Sequence, residues 1–172
     1  MPSGGHSIGA VSEGDLRELL PLMRAYCDFY AVAPSDDSLL GIARALLAAP
    51  EHEGLQLIAR DARRRAVGFA TIFWSWSTTA GGRIGIMHDL YVDPAARGNG
   101  VADRLIGACV ECCSQRGAVR LEWQTAPDNL PAQAVYDRVG GTREAWLTYA
   151  VAIAPAGRPH TRAQRGQPED AR

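Results

Sequence analysis

Apolar and polar positions follow two different periods along the chain, and each change of period marks a predicted element. Four segments carry apolar residues at the spacing of amphipathic helices, whereas six shorter runs are rich in β-branched and aromatic residues. The predicted helices span residues 13–26, 36–49, 101–116 and 130–139, and the predicted strands span 8–11, 55–60, 66–76, 83–92, 119–125 and 146–153. The order β-α-α-β-β-β-α-β-α-β indicates a mixed α/β (α+β) fold, in which an antiparallel meander precedes a strand–helix–strand crossover.

Start and stop signals support these helix boundaries. Ser12 with Asp15 gives a capping-box pattern before the first helix, and Ser35 followed by two aspartates precedes the second. Gly117 occupies the C-cap position of the third helix, and the pair at residues 140–141 ends the fourth.

Composition favours one domain. The 172 residues are 47% hydrophobic and 22% charged, which suffices for one sizeable core, so residues 1–154 are predicted to form a single domain. Residues 155–172 offer almost nothing apolar to bury and are predicted to be a disordered tail. A net charge of −1 gives no global field for nucleic acid or an anionic membrane. Because no apolar run has the pattern of a membrane span or signal peptide, we expect a cytoplasmic protein without nucleic-acid or membrane partners.

Three of the four cysteines fall within the third predicted helix. Cys109 and Cys112 have the spacing of a redox pair or half a zinc site, but no second cysteine or histidine pair follows downstream. Cys109 and Cys113 also continue the apolar stripe of Leu105 and Ile106. We therefore predict buried core thiols and no metal site, with redox chemistry as the alternative.

The stretch VDPAARGNGVADRLI, residues 92–106, joins a predicted strand to the third helix. Successive backbone N–H groups, freed of side-chain bulk by two glycines, favour an anion at the helix N-terminus. A P-loop is excluded because the chain contains no lysine. A dinucleotide fingerprint lacks its third glycine, since Asp103 follows the second, although Glu122 lies where a ribose-binding acid is expected. An ordinary strand-to-helix turn remains the alternative for this loop taken alone.

Two motifs in this order resemble those of the GNAT superfamily of N-acetyltransferases. Arg97-Gly-Asn-Gly-Val-Ala102 matches Arg/Gln-x-x-Gly-x-Gly/Ala, the acetyl-CoA pyrophosphate motif of that superfamily. Asn129-Leu-Pro-Ala-Gln-Ala-Val-Tyr-Asp-Arg-Val-Gly140 is similar to its second signature, Asn-x-x-Ala-x-x-x-Tyr-x-x-x-Gly. The resemblance covers about residues 8–153 and implies a mixed, mostly antiparallel central sheet flanked by helices, with a splayed strand pair forming the acetyl-CoA cleft.

The resemblance also implies a mechanism, the direct attack of an amine on the thioester of acetyl-CoA. Val92 would donate its N–H to the thioester oxygen, and Tyr136 would protonate the departing thiolate. Asn129 is either an N-cap of the fourth helix or a contact of the cofactor arm, or both. The implied cofactor-binding residues are Leu90, Tyr91, Val92, Arg97, Gly98, Asn99, Gly100, Val101, Ala102, Asn129, Ala132 and Tyr136.

The general base is less well defined. An alkylamine is almost fully protonated at neutral pH, so a group must accept its proton, and the candidates are His88, Asp89 and Glu122. In relatives that act on polyamines an acidic residue stands where this chain has His88. We expect a primary amine of a small molecule as acceptor; a protein or peptide amine, and a non-catalytic acyl-CoA-binding module, are the alternatives. A homodimer is one assembly that we consider for this protein.

Aromatic residues cluster near the expected acceptor site, which lies under residues 26–37. They are Tyr26, Phe29, Tyr30, Trp74, Trp76 and Trp123. Such a wall suits a cationic or amphipathic amine, whereas core packing is the alternative role for these rings.

Overall fold

The computed structural model describes residues 5–153. It divides into two units, residues up to 141 and residues from 142 onward. The predicted tail, residues 155–172, lies outside the described residues, and the domain boundary at residue 154 stays a prediction.

The first unit is built on a five-stranded sheet with strand order β1-β2-β3-β4-β5. The strands are β1 Ser7–Ala10, β2 Gly54–Arg60, β3 Ala66–Ser77, β4 Gly82–Val92 and β5 Arg120–Glu122. The first four strands are antiparallel neighbours, and β5 pairs with β4 in parallel. The mixed, mostly antiparallel sheet expected from the sequence is therefore confirmed.

Four α-helices accompany the sheet. They are α1 Leu16–Phe29, α2 Asp36–Ala48, α3 Val101–Gln115 and α4 Leu130–Arg138, with short 3-10 turns at Glu13–Asp15 and Pro94–Ala96. The capping box at Ser12 and the Ser35 cap form as predicted, and Gly117 adopts a left-handed φ of 65° just after α3. Helix α1 extends three residues beyond its predicted end at residue 26 and so carries Phe29.

Each face of the sheet has its own core. Helices α1 and α2 cover Ile58 and Phe69 on one face, with Leu19 fully buried between the layers. Helix α3 covers the other face. Cys109 and Cys113 are part of this second core, and burial raises the pKa of the Cys113 thiol to about 11. The prediction of core thiols is confirmed, because such thiols are protonated and enclosed rather than reactive.

The prediction of a final strand over residues 146–153 is wrong. The structure has no helix or strand among residues 142–153, and their large apolar side chains are exposed, Trp146 by 80% and Ile153 by 86%. Alternation of apolar residues predicts a strand only where a neighbouring strand supplies hydrogen bonds, and this segment takes part in no described ladder. β5 is also shorter than predicted.

The α3 core should dominate the stability of the first unit. Leu105 is fully buried in it, so Leu105→Ala is expected to lower the free energy of unfolding by about 2–5 kcal/mol, measured by urea denaturation. Val110→Ala on the exposed side of the same helix is the matched control and should change stability by less than about 0.5 kcal/mol. Equal effects of the two substitutions would contradict this assignment of the core.

Candidate active site

The site originates where two parallel strands separate. β4 and β5 pair only over Ile84–Ile86 and Arg120–Glu122, although β4 continues to Val92. Beyond that point the chain leaving β5 diverges toward α4, and a cleft of about 630 Å³ opens between the two strand ends. This is the splayed strand pair that the sequence motifs imply.

Five parts of the first unit line the cleft. The end of α1 supplies Tyr26, Phe29 and Tyr30; β4 supplies Met87, His88, Leu90, Tyr91 and Val92; the loop and start of α3 supply Arg97, Gly98, Gly100, Val101, Ala102 and Asp103; the chain after β5 supplies Trp123 and Gln124; and α4 supplies Asn129, Pro131, Ala132, Val135, Tyr136 and Arg138. All the expected cofactor-binding residues but Asn99 are present in this lining.

The loop before α3 owes its shape to two glycines. Gly98 has a φ of 79° and Gly100 a φ of 73°, both in the left-handed region that favours glycine. A Cβ at either position would meet no atom of the protein within 4 Å, so glycine is required for its backbone conformation rather than for lack of space. Helix α3 begins immediately after Gly100, and its free N–H groups face the cleft end of the loop.

Arg97 ties this loop to the end of β4. Its Nε donates to the backbone carbonyl of Val92 (3.0 Å), which leaves the outer guanidinium nitrogens uninvolved in that bond. Asn99 instead stabilises the loop itself, since its Nδ2 donates to the carbonyls of Ala96 (3.2 Å) and Arg97 (3.3 Å).

β4 presents unpaired backbone groups to the cleft. The N–H of Asp93 donates to the carbonyl of Val67 (2.9 Å) on the β3 side. Because the backbone groups of successive strand residues point alternately to the two sides, the N–H groups of Leu90 and Val92 point away from β3. No described strand pairs with them there.

Helix α4 brings the second motif to the opposite wall. Asn129 caps this helix, accepting the N–H of Ala132 at its Oδ1 (3.4 Å), so its capping role is confirmed and its contact with a cofactor stays a prediction. One helix turn after Ala132, the ring of Tyr136 meets that of Trp123 edge-on, with centroids 5.4 Å apart. Burial, with a smaller contribution from the Tyr30 phenol, raises the pKa of Tyr136, so its phenol keeps its proton at neutral pH.

A β-bulge positions the candidate base. Thr71 pairs with Asp89 and Ile72 with Met87, so His88 is the extra residue of β4. Its side chain is 69% exposed and lines the cleft, with Nδ1 3.7 Å from Oδ1 of Asp89. Asp89 lies against Tyr26, whose pKa is raised mainly by burial and then by this carboxylate.

Three sequence candidates lie elsewhere in the first unit. Glu122 does not line the cleft, and its carboxylate pairs with Arg120 (2.8 Å). Trp74 is buried under Arg116 and donates its indole N–H to the Pro50 carbonyl (2.9 Å). Trp76 is 75% exposed away from the cleft, so of the three tryptophans only Trp123 belongs to the site.

The ion pair between Asp103 and Arg138 was not predicted from the sequence. Arg138 of α4 donates to both oxygens of Asp103 in α3, at 2.8 and 2.9 Å, and thereby joins the two helices that flank the cleft. The pair also neutralises a carboxylate on the first turn of α3, where a negative ligand would otherwise be repelled. The two residues are 35 positions apart, and no sequence signal connects them.

Comparison of the sequence with known protein families identifies the family of this chain. Residues 16–141 match the sequence pattern described as the Acetyltransferase (GNAT) family. The chain belongs to this family. The protein "Uncharacterized N-acetyltransferase YhfO" of Bacillus subtilis (strain 168) is 30% identical over 150 residues, which cover 87% of this chain and 99% of that protein. The chain is accordingly an N-acetyltransferase.

Two solved structures share the fold. A crystal structure of a "probable acetyltransferase" superposes with a TM-score of 0.75 at 28% identity, covering 87% of this chain and 99% of the other. The aminoglycoside N-acetyltransferase AAC(6')-Iy, solved in complex with CoA, superposes with a TM-score of 0.77 at 20% identity over 90% of this chain and 99% of that one.

Membrane-spanning helices and metal-binding clusters are both absent from the described part of this GNAT chain. None of its helices there has the length and hydropathy needed to cross a membrane. Within residues 5–153 there is also no group of three or more His, Cys, Asp or Glu side chains suited to hold a metal ion.

The Asp103–Arg138 pair should make stability depend on pH in the acid range. Arg138 holds the pKa of Asp103 below its ordinary value of 3.8, so the pair contributes stability above that pH and loses it as the pH falls through the lower, folded-state pKa. The gap in unfolding free energy between the native protein and Asp103→Asn should be constant from pH 7 to 5 and shrink below pH ~4, as measured by urea denaturation. Arg138→Gln should reproduce this behaviour. A gap that is the same at pH 3 and pH 7 would show that the ion pair does not stabilise the fold.

Proposed function

We propose that the protein transfers the acetyl group of acetyl-CoA to the primary amine of a small molecule by direct attack on the thioester. The observation that carries the proposal is the open edge of β4, which has an anion-favouring helix N-terminus at one end and the protonated Tyr136 on the opposite wall. A diphosphate, an amide-rich arm and a leaving thiolate each find a complementary group in this arrangement.

Cofactor binding would use backbone groups first. The N–H groups around Gly98 and Gly100 would hold the diphosphate, with the outer nitrogens of Arg97 as charged donors. The pantetheine amides would pair with the unpaired edge of β4 at Leu90 and Val92, as an added strand does.

The chemical step needs an oxyanion donor and an acid. The amine nitrogen forms a bond to the thioester carbon, and the developing oxyanion accepts a hydrogen bond from the N–H of Val92. When the carbon–sulfur bond breaks, the thiolate takes the proton of Tyr136 and leaves as the thiol of CoA. The nitrogen, which carries a positive charge once it has bonded to the carbon, gives its second proton to the phenolate of Tyr136, and this restores the phenol. The first amine proton leaves to solvent from His88.

The amine must lose a proton before or during attack. His88 is the candidate base that lines the cleft and can accept this proton. The bulge places His88 on the cleft wall, whereas Asp89 lies behind Tyr26 and Glu122 is paired outside the cleft. Oδ1 of Asp89 lies 3.7 Å from Nδ1 of His88, so the side chain that accepts the proton has a carboxylate neighbour.

The loop assignment predicts a binding defect. Gly100→Glu is expected to weaken acetyl-CoA binding at least about tenfold by calorimetry, because it adds a negative charge and a strained φ at the diphosphate. Gly117→Glu is the matched control, since Gly117 has a φ of 65° and open space at the opposite end of the same helix. A normal affinity in Gly100→Glu, or an equal loss in Gly117→Glu, would overturn the assignment.

The acid assignment predicts a catalytic defect without a binding defect. The native protein should release free thiol from acetyl-CoA in the presence of a primary amine, and Tyr136→Phe should lower kcat about 100-fold or more while leaving acetyl-CoA affinity nearly unchanged. Tyr149→Phe, at an exposed position in the second unit, should retain the native rate. Full activity in Tyr136→Phe would reduce this tyrosine to a packing role. Thiol release with a peptide amine but with no small amine would reassign the acceptor class.

A further inference from the structure

The end of α1 forms an aromatic wall on the acceptor side of the cleft. Tyr26 and Tyr30 meet edge-on with centroids 5.1 Å apart, and Phe29 meets Tyr30 in the same way at 5.0 Å. These contacts hold the three rings in fixed relative orientations. Trp123 and Tyr136 form a second aromatic pair across the cleft.

Two rings of this wall are accessible to solvent. Phe29 is 60% exposed and Tyr30 is 47% exposed, although both border the cleft. Large apolar rings gathered at one exposed site indicate a surface that a ligand covers. Burying one aromatic side chain contributes more binding free energy than a typical surface hydrogen bond.

Negative charge is scarce in the same cleft. Among the described residues that line it, Asp103 is the acidic one, and both of its oxygens are already bonded to Arg138. Arg97 adds positive charge at the loop end. On the acceptor side, two carboxylates lie near the cleft without lining it. Asp89 has a side chain 20% exposed behind Tyr26, and Asp28 lies close enough to act on Tyr91.

Charge and shape together select a class of acceptor. We infer that the acceptor is a monoamine with a flat apolar body, such as an arylalkylamine, rather than a polycation; the inference rests on the proposed function. One ammonium group can be accommodated, because His88 can accept its proton and the carboxylate of Asp89 lies beside His88. Each further ammonium of a polyamine or aminoglycoside would lose hydration without gaining a carboxylate partner in the cleft. The ring of an arylalkylamine would instead cover Phe29 and Tyr30.

The test compares acceptors at saturating acetyl-CoA, with free thiol as the readout. The acceptors are 2-phenylethylamine, its saturated analogue 2-cyclohexylethylamine, spermidine and kanamycin. We expect kcat/KM to be at least about tenfold higher for 2-phenylethylamine than for either polycation, and higher than for the cyclohexyl analogue. A spermidine or kanamycin value equal to or above that of 2-phenylethylamine would overturn the inference while leaving the proposed function intact. Absence of thiol release with every amine would instead overturn the proposed function, and the inference with it.

Variants of the wall provide the second arm. Phe29→Ala and Tyr30→Ala should each raise KM for 2-phenylethylamine about tenfold and leave KM for acetyl-CoA unchanged, because their rings contact the acceptor and not the cofactor. Trp76→Ala is the control for loss of an exposed aromatic ring, since Trp76 is 75% exposed and lies outside the cleft lining. Circular dichroism confirms folding of each variant. Unchanged KM for the amine in both wall variants would overturn the inference.

Discussion

Beyond Ile86, β4 has a hydrogen-bonded neighbour on one side only, and the rest of the site follows from that constraint. A strand edge with unpaired N–H and C=O groups invites a further strand, and proteins usually cover or blunt it. Here β5 ends at Glu122, so six residues of β4 keep an open edge inside a cleft. The same separation makes room for α4, and with it Tyr136, on the opposite wall.

The helices that border the opening are connected through side chains rather than through the sheet. Asp103 and Arg138 link α3 to α4, while the Tyr26 hydroxyl donates to the His88 carbonyl (3.4 Å) and links α1 to β4. These contacts link elements that line the cleft, across which no described strand runs. A few polar contacts thus connect the elements around a cleft that includes the unpaired backbone edge of β4.

Much of the fold could be predicted from the sequence because its signals are local. Helix α3 begins after Gly100 and ends before Gly117, where backbone conformation leaves little choice of residue. The bulge at His88 could not be predicted, because it arises from the register between β3 and β4. The strand expected over residues 146–153 is absent although its local pattern is suitable, because these residues pair with no described strand. The Asp103–Arg138 pair likewise depends on packing between helices.

The extra residue at His88 also determines the parity of β4. Strand residues alternate in the direction of both side chain and backbone N–H. The bulge interrupts this alternation, so even-numbered residues direct their N–H groups toward β3 before it and odd-numbered residues do so after it. With His88 present, Leu90 and Val92 direct their N–H groups into the cleft and Tyr91 directs its own toward β3. Without the bulge, His88 would pair with Thr71 and each later residue of β4 would move by one partner on β3. The N–H of Tyr91 would then point to the cleft, and those of Leu90 and Val92 would point to β3. The bulge at His88 therefore determines which amides of β4 face the cleft.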